Sequence, residues 1–201
     1  MTSTSRRIPV FLDAAVLAAP TTRSLILFGQ LHGDARYLAK WSLAAEREAD
    51  RALVHRAQQR GAKIGQTIAP VLVSALRQSA DLGEDVIVPA APELEATLAD
   101  TDPRDRHILA SASDWGALIV ITPDVDDFGR GDLDRLGMDA VNPDLFMSYW
   151  MTAGIYAFAL EQIAARRSLP PNTPQTMHAT LGKAHPLLVS AMRDVPGDAD
   201  R

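Results

Sequence analysis

Short, uninterrupted apolar runs, each followed by a helical pattern, constrain this chain more than any other feature. Val10-Phe11-Leu12, Tyr37-Leu38-Ala39, Val86-Ile87-Val88 and Ala117-Leu118-Ile119-Val120-Ile121-Thr122 lack the in–out alternation of a half-wet strand. Such runs suit strands buried on both faces. Between them the residues favour helices. One covers 14–19, stopped by Pro20, and another 22–31, broken at Gly33. A third begins near Ser42, a good N-cap, and runs to about Gly61; a fourth covers 67–80, with Pro70 tolerated in its first turn. A short helix is expected over 93–99. Asp102-Pro103 open the next helix as N-cap and first helical residue, and Gly116 closes it. Strand and helix in alternation imply right-handed crossovers, hence an α/β fold with a mainly parallel sheet and helices on both faces.

Beyond Pro143 the pattern turns helical. Phe146, Trp150, Ile155, Phe158 and Ile163 predict one helix over 145–167, followed by a hinge at Leu169-Pro170-Pro171-Asn172. Thr173-Pro174 start a last helical segment, broken again by Pro186, and the tail from Pro196 is expected to fray. With 201 residues, 47% hydrophobic and 22% charged, the chain suits one compact domain with a short appendage and excludes wholesale disorder. Cysteine is absent, which removes disulfide scaffolds, thiolate metal sites and thiol catalysis. The longest uncharged stretch, 145–160, has 16 residues, short of the roughly 20 a bilayer needs. The apolar run after Arg6-Arg7 ends at Asp13 after five residues, too short for a secretion signal. A cytoplasmic protein with no membrane partner is expected.

Charge is divided unevenly. Between 36 and 63 seven basic residues face three acids, whereas between 81 and 144 sixteen acids face four arginines. Such runs are ordinarily solvated faces, but a basic helix beside an acid-rich half also suits a polyanion held near a cation-binding pocket. Asp13 and Asp124 each follow a predicted strand, and ligands of open α/β sheets collect at carboxyl strand ends. The plain alternatives are a helix cap for Asp13 and a polar turn for Asp124, Asp126 and Asp127. Asp105 precedes Ile108, Leu109 and Ala112 at helical spacing, which puts it on the buried stripe of the first turn, or makes it a capping acid. On the basic helix Glu46 and Glu48 are both candidates, and periodicity does not choose between them. Either could simply form helix ion pairs, Glu48 with Arg51 for example. Two carboxylates about 4 Å apart repel by roughly 4 kcal/mol at an effective dielectric near 20, so convergence of several would call for a divalent cation.

Together these residues resemble a PIN domain. The carriers are Val10-Phe11-Leu12-Asp13-Ala14-Ala15-Val16-Leu17, Trp41-Ser42 with Glu48 seven residues after the tryptophan, and the segment from Asp102 through Asp105 to Ala112. Ile119 to Phe128, and Asn142-Pro143-Asp144-Leu145-Phe146, complete a match over 8–146. The resemblance implies a parallel sheet of about five strands sandwiched by helices over 1–146, with a helical extension over 147–201 packed on it. It also implies a magnesium or manganese pocket and cleavage of RNA, as in the VapC-type toxins of toxin–antitoxin pairs. By position the acids are Asp13, Glu48, Asp105 and Asp124, with Asp127 as a further metal ligand; Thr122 would help hold the last carboxylate. The chain departs from the family at Ala15, where Asn is usual, and at Glu46, where an apolar residue is usual. Trp41, His107 and Phe128 are read as packing.

On this reading Arg47, Arg51 and Arg56 hold the RNA backbone, and the expected partners are RNA, a cognate antitoxin and a second copy of the chain. Two rivals compete. One is a catalytically silent PIN-like module that binds RNA or protein. The other is a magnesium-dependent phosphatase with Asp13 as nucleophile, which would want a second Asp where this chain has Ala15.

Overall fold

The structure is a computed structural model and describes residues 7–59, 87–166 and 173–193. Among them are five strands and ten α-helices, an α/β fold. In chain order these are β1 (Ile8–Leu12), α1 (Ala14–Leu17), α2 (Pro20–Gly29), β2 (Tyr37–Ser42), α3 (Leu43–Gln59), β3 (Ile87–Val88), α4 (Pro92–Glu95) and α5 (Arg106–Trp115). Then follow β4 (Ile119–Ile121), α6 (Arg130–Leu136), β5 (Asp139–Val141), α7 (Pro143–Trp150), α8 (Ala153–Arg166), α9 (Pro174–Leu181) and α10 (Pro186–Ala191).

The sheet is parallel throughout, in the order β3-β2-β1-β4-β5. Val10, Phe11 and Leu12 are all fully buried. Successive strand residues point to opposite faces, so both faces of β1 are covered. That is why the run carries no polar alternation. The chain adds β2 and β3 on one side of β1, then crosses to add β4 and β5 on the other. β1 and β4 therefore flank the point where strand order reverses, where ligands of open α/β sheets bind. The Asp13 amide donates to the Ile121 carbonyl at 3.1 Å, so the two carboxyl ends are locked together.

Several boundaries differ from the sequence expectation, each for a local reason. Pro20 stops α1 and also starts α2 as its first residue. β2 runs on to Ser42, whose Oγ still caps α3 by accepting from the Ala45 amide at 3.1 Å. The helix expected to start at Pro103 begins three residues later, at Arg106. Asp102 Oδ1 accepts from the Arg104 amide at 2.9 Å, folding 102–105 into a turn and leaving Asp105 at the N-cap position instead of inside the first turn. β4 is shorter than its apolar run because Ala117 closes the end of α5, its amide donating to the Ala112 carbonyl at 2.9 Å. Gly116 makes that reversal at φ 82°, a left-handed conformation that favours glycine. The single helix expected over 145–167 is two helices: Met151 is extended, and Thr152 Oγ1 accepts from the Ile155 amide at 3.3 Å. The helix expected over 67–80, its neighbour Gly61, Val86, the hinge at 169–172 and the tail from Pro196 lie outside the described residues.

The C-terminal helices join the main core. Helix α8 lies along α2, and α10 packs on α7. Ile155, Tyr156, Leu160, Ile163, Met177 and Leu188 belong to the same buried cluster as the strands. Asp144 ties α10 down through hydrogen bonds from the amides of Leu187 (3.0 Å) and Leu188 (2.9 Å). No helix among the described residues is long and apolar enough to cross a membrane.

Candidate active site

Asp13 follows directly on β1 and is only 5% exposed. It occupies the N-cap position of α1 but makes no side-chain cap bond. Its Oδ2 instead accepts a hydrogen bond from Thr122 Oγ1 at 2.8 Å, across the β1–β4 junction. Burial raises the Asp13 pKa above the ordinary carboxylate value, while the Thr122 hydroxyl and the amides of Ala14 and Ala15 pull it down. The charge of Asp124 adds to the rise. Thr122 also acts in the other direction, because its Oγ1 accepts from the Asp124 amide at 3.1 Å. One fully buried hydroxyl thus holds the first carboxylate and the backbone that carries the last. Thr122 thus helps place the last acid through its backbone amide, and the carboxylate it bonds is that of Asp13.

In front of this junction opens a cavity of about 390 Å³ lined by Glu48, Arg51, Arg104, Asp105, Asp124 and Asp127. The acids arrive from three elements: Glu48 from α3, Asp105 from the N-cap of α5, and Asp124 and Asp127 from the short 3-10 turn Val125–Asp127 beyond β4, of which Asp124 is the N-cap. Asp13 lies close behind, near enough for its charge to act on Asp105. Desolvation, then the charges of Asp13, Asp127 and Asp102, push the Asp105 pKa up to about 6; His107 opposes them. Asp126 points outward and is exposed.

The choice between the two glutamates is physical. Glu46 is 5% exposed, and its Oε2 accepts from the indole Nε1 of the buried Trp41 at 2.9 Å, a contact within the core. Glu48 is on the cavity wall. Its Oε1 lies 3.7 Å from Arg51 and 3.4 Å from His107 Nε2, the latter too poorly aligned for a hydrogen bond. His107 thus borders the site as well as packing. Trp41 and Phe128 are buried. Of the three arginines expected to meet RNA, Arg51 lines the cavity and Arg47 is exposed on α3 outside that lining. Arg56 donates from Nη1 to the Ala18 carbonyl at 3.0 Å, tying α3 to the end of α1. Arg104 is the lining residue that sequence reasoning missed. Its position depends on the turn at 102–105, which no periodicity announces.

The donor chemistry fits a hard divalent cation: the candidates are carboxylate oxygens in an open, polar cavity, and one acid carries the imprint of uncompensated like charge. Among the described residues, no three His, Asp or Glu side chains stand in a preformed cation-binding arrangement. Comparison with family models, with curated proteins and with solved structures yields no match to this chain.

Proposed function

We propose that this chain is a magnesium- or manganese-dependent endoribonuclease of PIN type. The observation that carries the reading is the convergence of Asp13, Glu48, Asp105, Asp124 and Asp127, from four separate segments, on the carboxyl ends of β1 and β4. Asp13, Glu48, Asp105 and Asp124 are the candidate catalytic acids, with Asp127 beside them as a metal ligand. When bound, the cation supplies Lewis acidity that activates water and offsets charge gathering on the phosphate. The chain's own residues do the remaining work. The β1–β4 junction fixes Asp13, Thr122 orients it, and Arg51 offers a cation to the RNA backbone.

Within this reading the partners are RNA, a cognate antitoxin and a second copy of the chain, acting in the cytoplasm. The test is incubation of purified protein with total RNA, in manganese and in chelator, with mapping of the cut ends. Asp13→Asn should abolish manganese-dependent cutting and leave the fold intact; an unchanged rate rejects the site.

The departure at Ala15, where the family that the chain resembles usually has Asn, favours a second reading, a silent PIN-like module that binds RNA or protein. Isothermal titration with manganese separates the two, since a silent pocket takes up the ion weakly or not at all.

A further inference from the structure

The cavity wall holds a guanidinium, that of Arg104, beside the acids. The Arg104 side chain is 83% exposed, yet it is pinned on two edges. Nε donates to Asp102 Oδ1 at 3.1 Å and Nη2 donates to Asp102 Oδ2 at 3.3 Å. The same Oδ1 accepts the Arg104 amide at 2.9 Å, so one carboxylate sets both the turn and the direction of the side chain that leaves it. An exposed ion pair adds little to stability, which makes a purely structural role a weak account of this fork. A guanidinium has five N–H donors; the fork uses two, and three remain. Arg104 lines the cavity together with Asp105, Asp124 and Asp127, and with Arg51, the other arginine of that lining.

Resting on the nuclease reading above, we infer that Arg104 is a substrate-binding residue that grips an RNA phosphate at the cavity, and that Asp102 is the residue positioning it. Guanidinium matches a phosphate through paired N–H donors, a match that a lysine ammonium does not reproduce. Pinning the side chain beforehand removes part of the ordering cost of binding. Arg51 and Arg104 then supply phosphate contacts from two different elements, α3 and the turn before α5.

The experiment is steady-state cleavage of a fluorescein-labelled, unstructured RNA oligonucleotide in manganese, over a series of salt concentrations. Arg104→Ala should raise KM about tenfold, as loss of a charge-assisted contact does, with kcat nearly unchanged. It should also flatten the plot of log KM against log salt by about 0.7, the loss of one phosphate contact on a single strand. Arg104→Lys should keep the salt slope and lose most of the affinity. Asp102→Asn keeps an oxygen for the Arg104 amide but breaks the fork. If Asp102 merely repelled RNA, its neutralisation would lower KM; as a positioner, its loss raises KM. A wild-type enzyme that cuts RNA while Arg104→Ala retains its KM and salt slope overturns this inference and leaves the nuclease reading standing. A fall in KM for Asp102→Asn overturns the positioning role. Wild-type protein that does not cut in manganese sinks the nuclease reading, and this inference with it.

Discussion

Replacing Asp105 by Asn should make the protein more stable at neutral pH. The Asp105 pKa rises from an ordinary 3.8 to about 6 on folding, through desolvation first and then the charges of Asp13, Asp127 and Asp102. Between those values the folded state binds more protons than the unfolded state, so stability falls as pH rises through the window. The contribution is full below pH 3.8 and gone above pH 6. At 1.36 kcal/mol per pKa unit the unscreened penalty is about 3 kcal/mol. Asp105 is only partly buried and faces an open cavity, so screening by water reduces the net figure to about 1 kcal/mol. For a chain of this length that corresponds to roughly 2–4 °C in Tm. Thermal melts of wild type and Asp105→Asn at pH 4 and pH 8, in chelator, measure it directly. The variant should gain at pH 8 and show little advantage at pH 4. Manganese should narrow the gap at pH 8 by stabilising wild type through mass action. A gain of equal size at both pH values, or none at pH 8, would refute the idea that like charge loads this site.

Further outcomes follow from the same contacts. Thr122→Val removes a hydroxyl bonded to a buried carboxylate; it should cost about 1.5–3 kcal/mol in chemical denaturation and, by raising the Asp13 pKa further, move the acid limb of the cleavage profile to higher pH. Glu46→Ala leaves the buried Trp41 indole unpaired, and should lose about 1–3 kcal/mol of stability while cleavage per folded molecule survives. Glu48→Ala should do the reverse, abolishing cleavage with the melting temperature held. His185 is buried, with Nε2 2.9 Å from Thr22 Oγ1 and Nδ1 4.0 Å from Asp144, and burial depresses its pKa more than Asp144 raises it. The unfolded chain therefore takes up a proton that the folded chain refuses, and stability should drop as pH falls below about 6.5. Melts in the Asp105→Asn background, which removes one opposing carboxyl titration, should lose stability toward acid more steeply with His185 in place than with His185→Gln, and equal slopes would refute the His185 contribution.

What the sequence discloses and what it hides divide along a physical line. β1 is legible because burial on both faces leaves a continuous apolar run, and Pro174 marks a helix start because proline fits the first helical position; Pro20 and Pro143 begin helices for the same reason, though the sequence expectation took Pro20 as a stop and began the later helix at 145. Asp13 and Asp124 are legible because each closely follows a buried strand. β5 and α6 carry no such mark: β5 has three residues beginning with the exposed Asp139, too few to show a period. The turn at 102–105 is hidden because Asp102 serves equally as a helix cap and as a turn former; only the hydrogen bonds choose. Glu46 and Glu48 are separated by the position of Trp41 in β2, a tertiary contact that no helical wheel contains.

The acids are held by contacts other than those between their carboxylates. Asp13 is held by the strand ladder and Thr122, and Asp124 by the same hydroxyl acting on its backbone. The segment leading to Asp105 is held from behind: Asp132, at the start of α6, accepts from the amides of Asp100 and Thr101 at 2.9 Å each, and Arg135 pairs with its other oxygen at 3.1 Å. That carboxylate faces backbone rather than cavity, which explains why so acidic a region does not send every acid to the site. Mutual repulsion of the lining carboxylates is thus resisted by a rigid frame, and it remains available to be relieved by whatever positive charge enters. If the frame were the weaker partner, Asp132→Asn would loosen the 100–105 turn and let Asp105 relax toward an ordinary carboxylate pKa, and the stability gain of Asp105→Asn would disappear in that background. Persistence of the full gain in the double variant would mean that Asp132 plays no part in holding the charged wall in place.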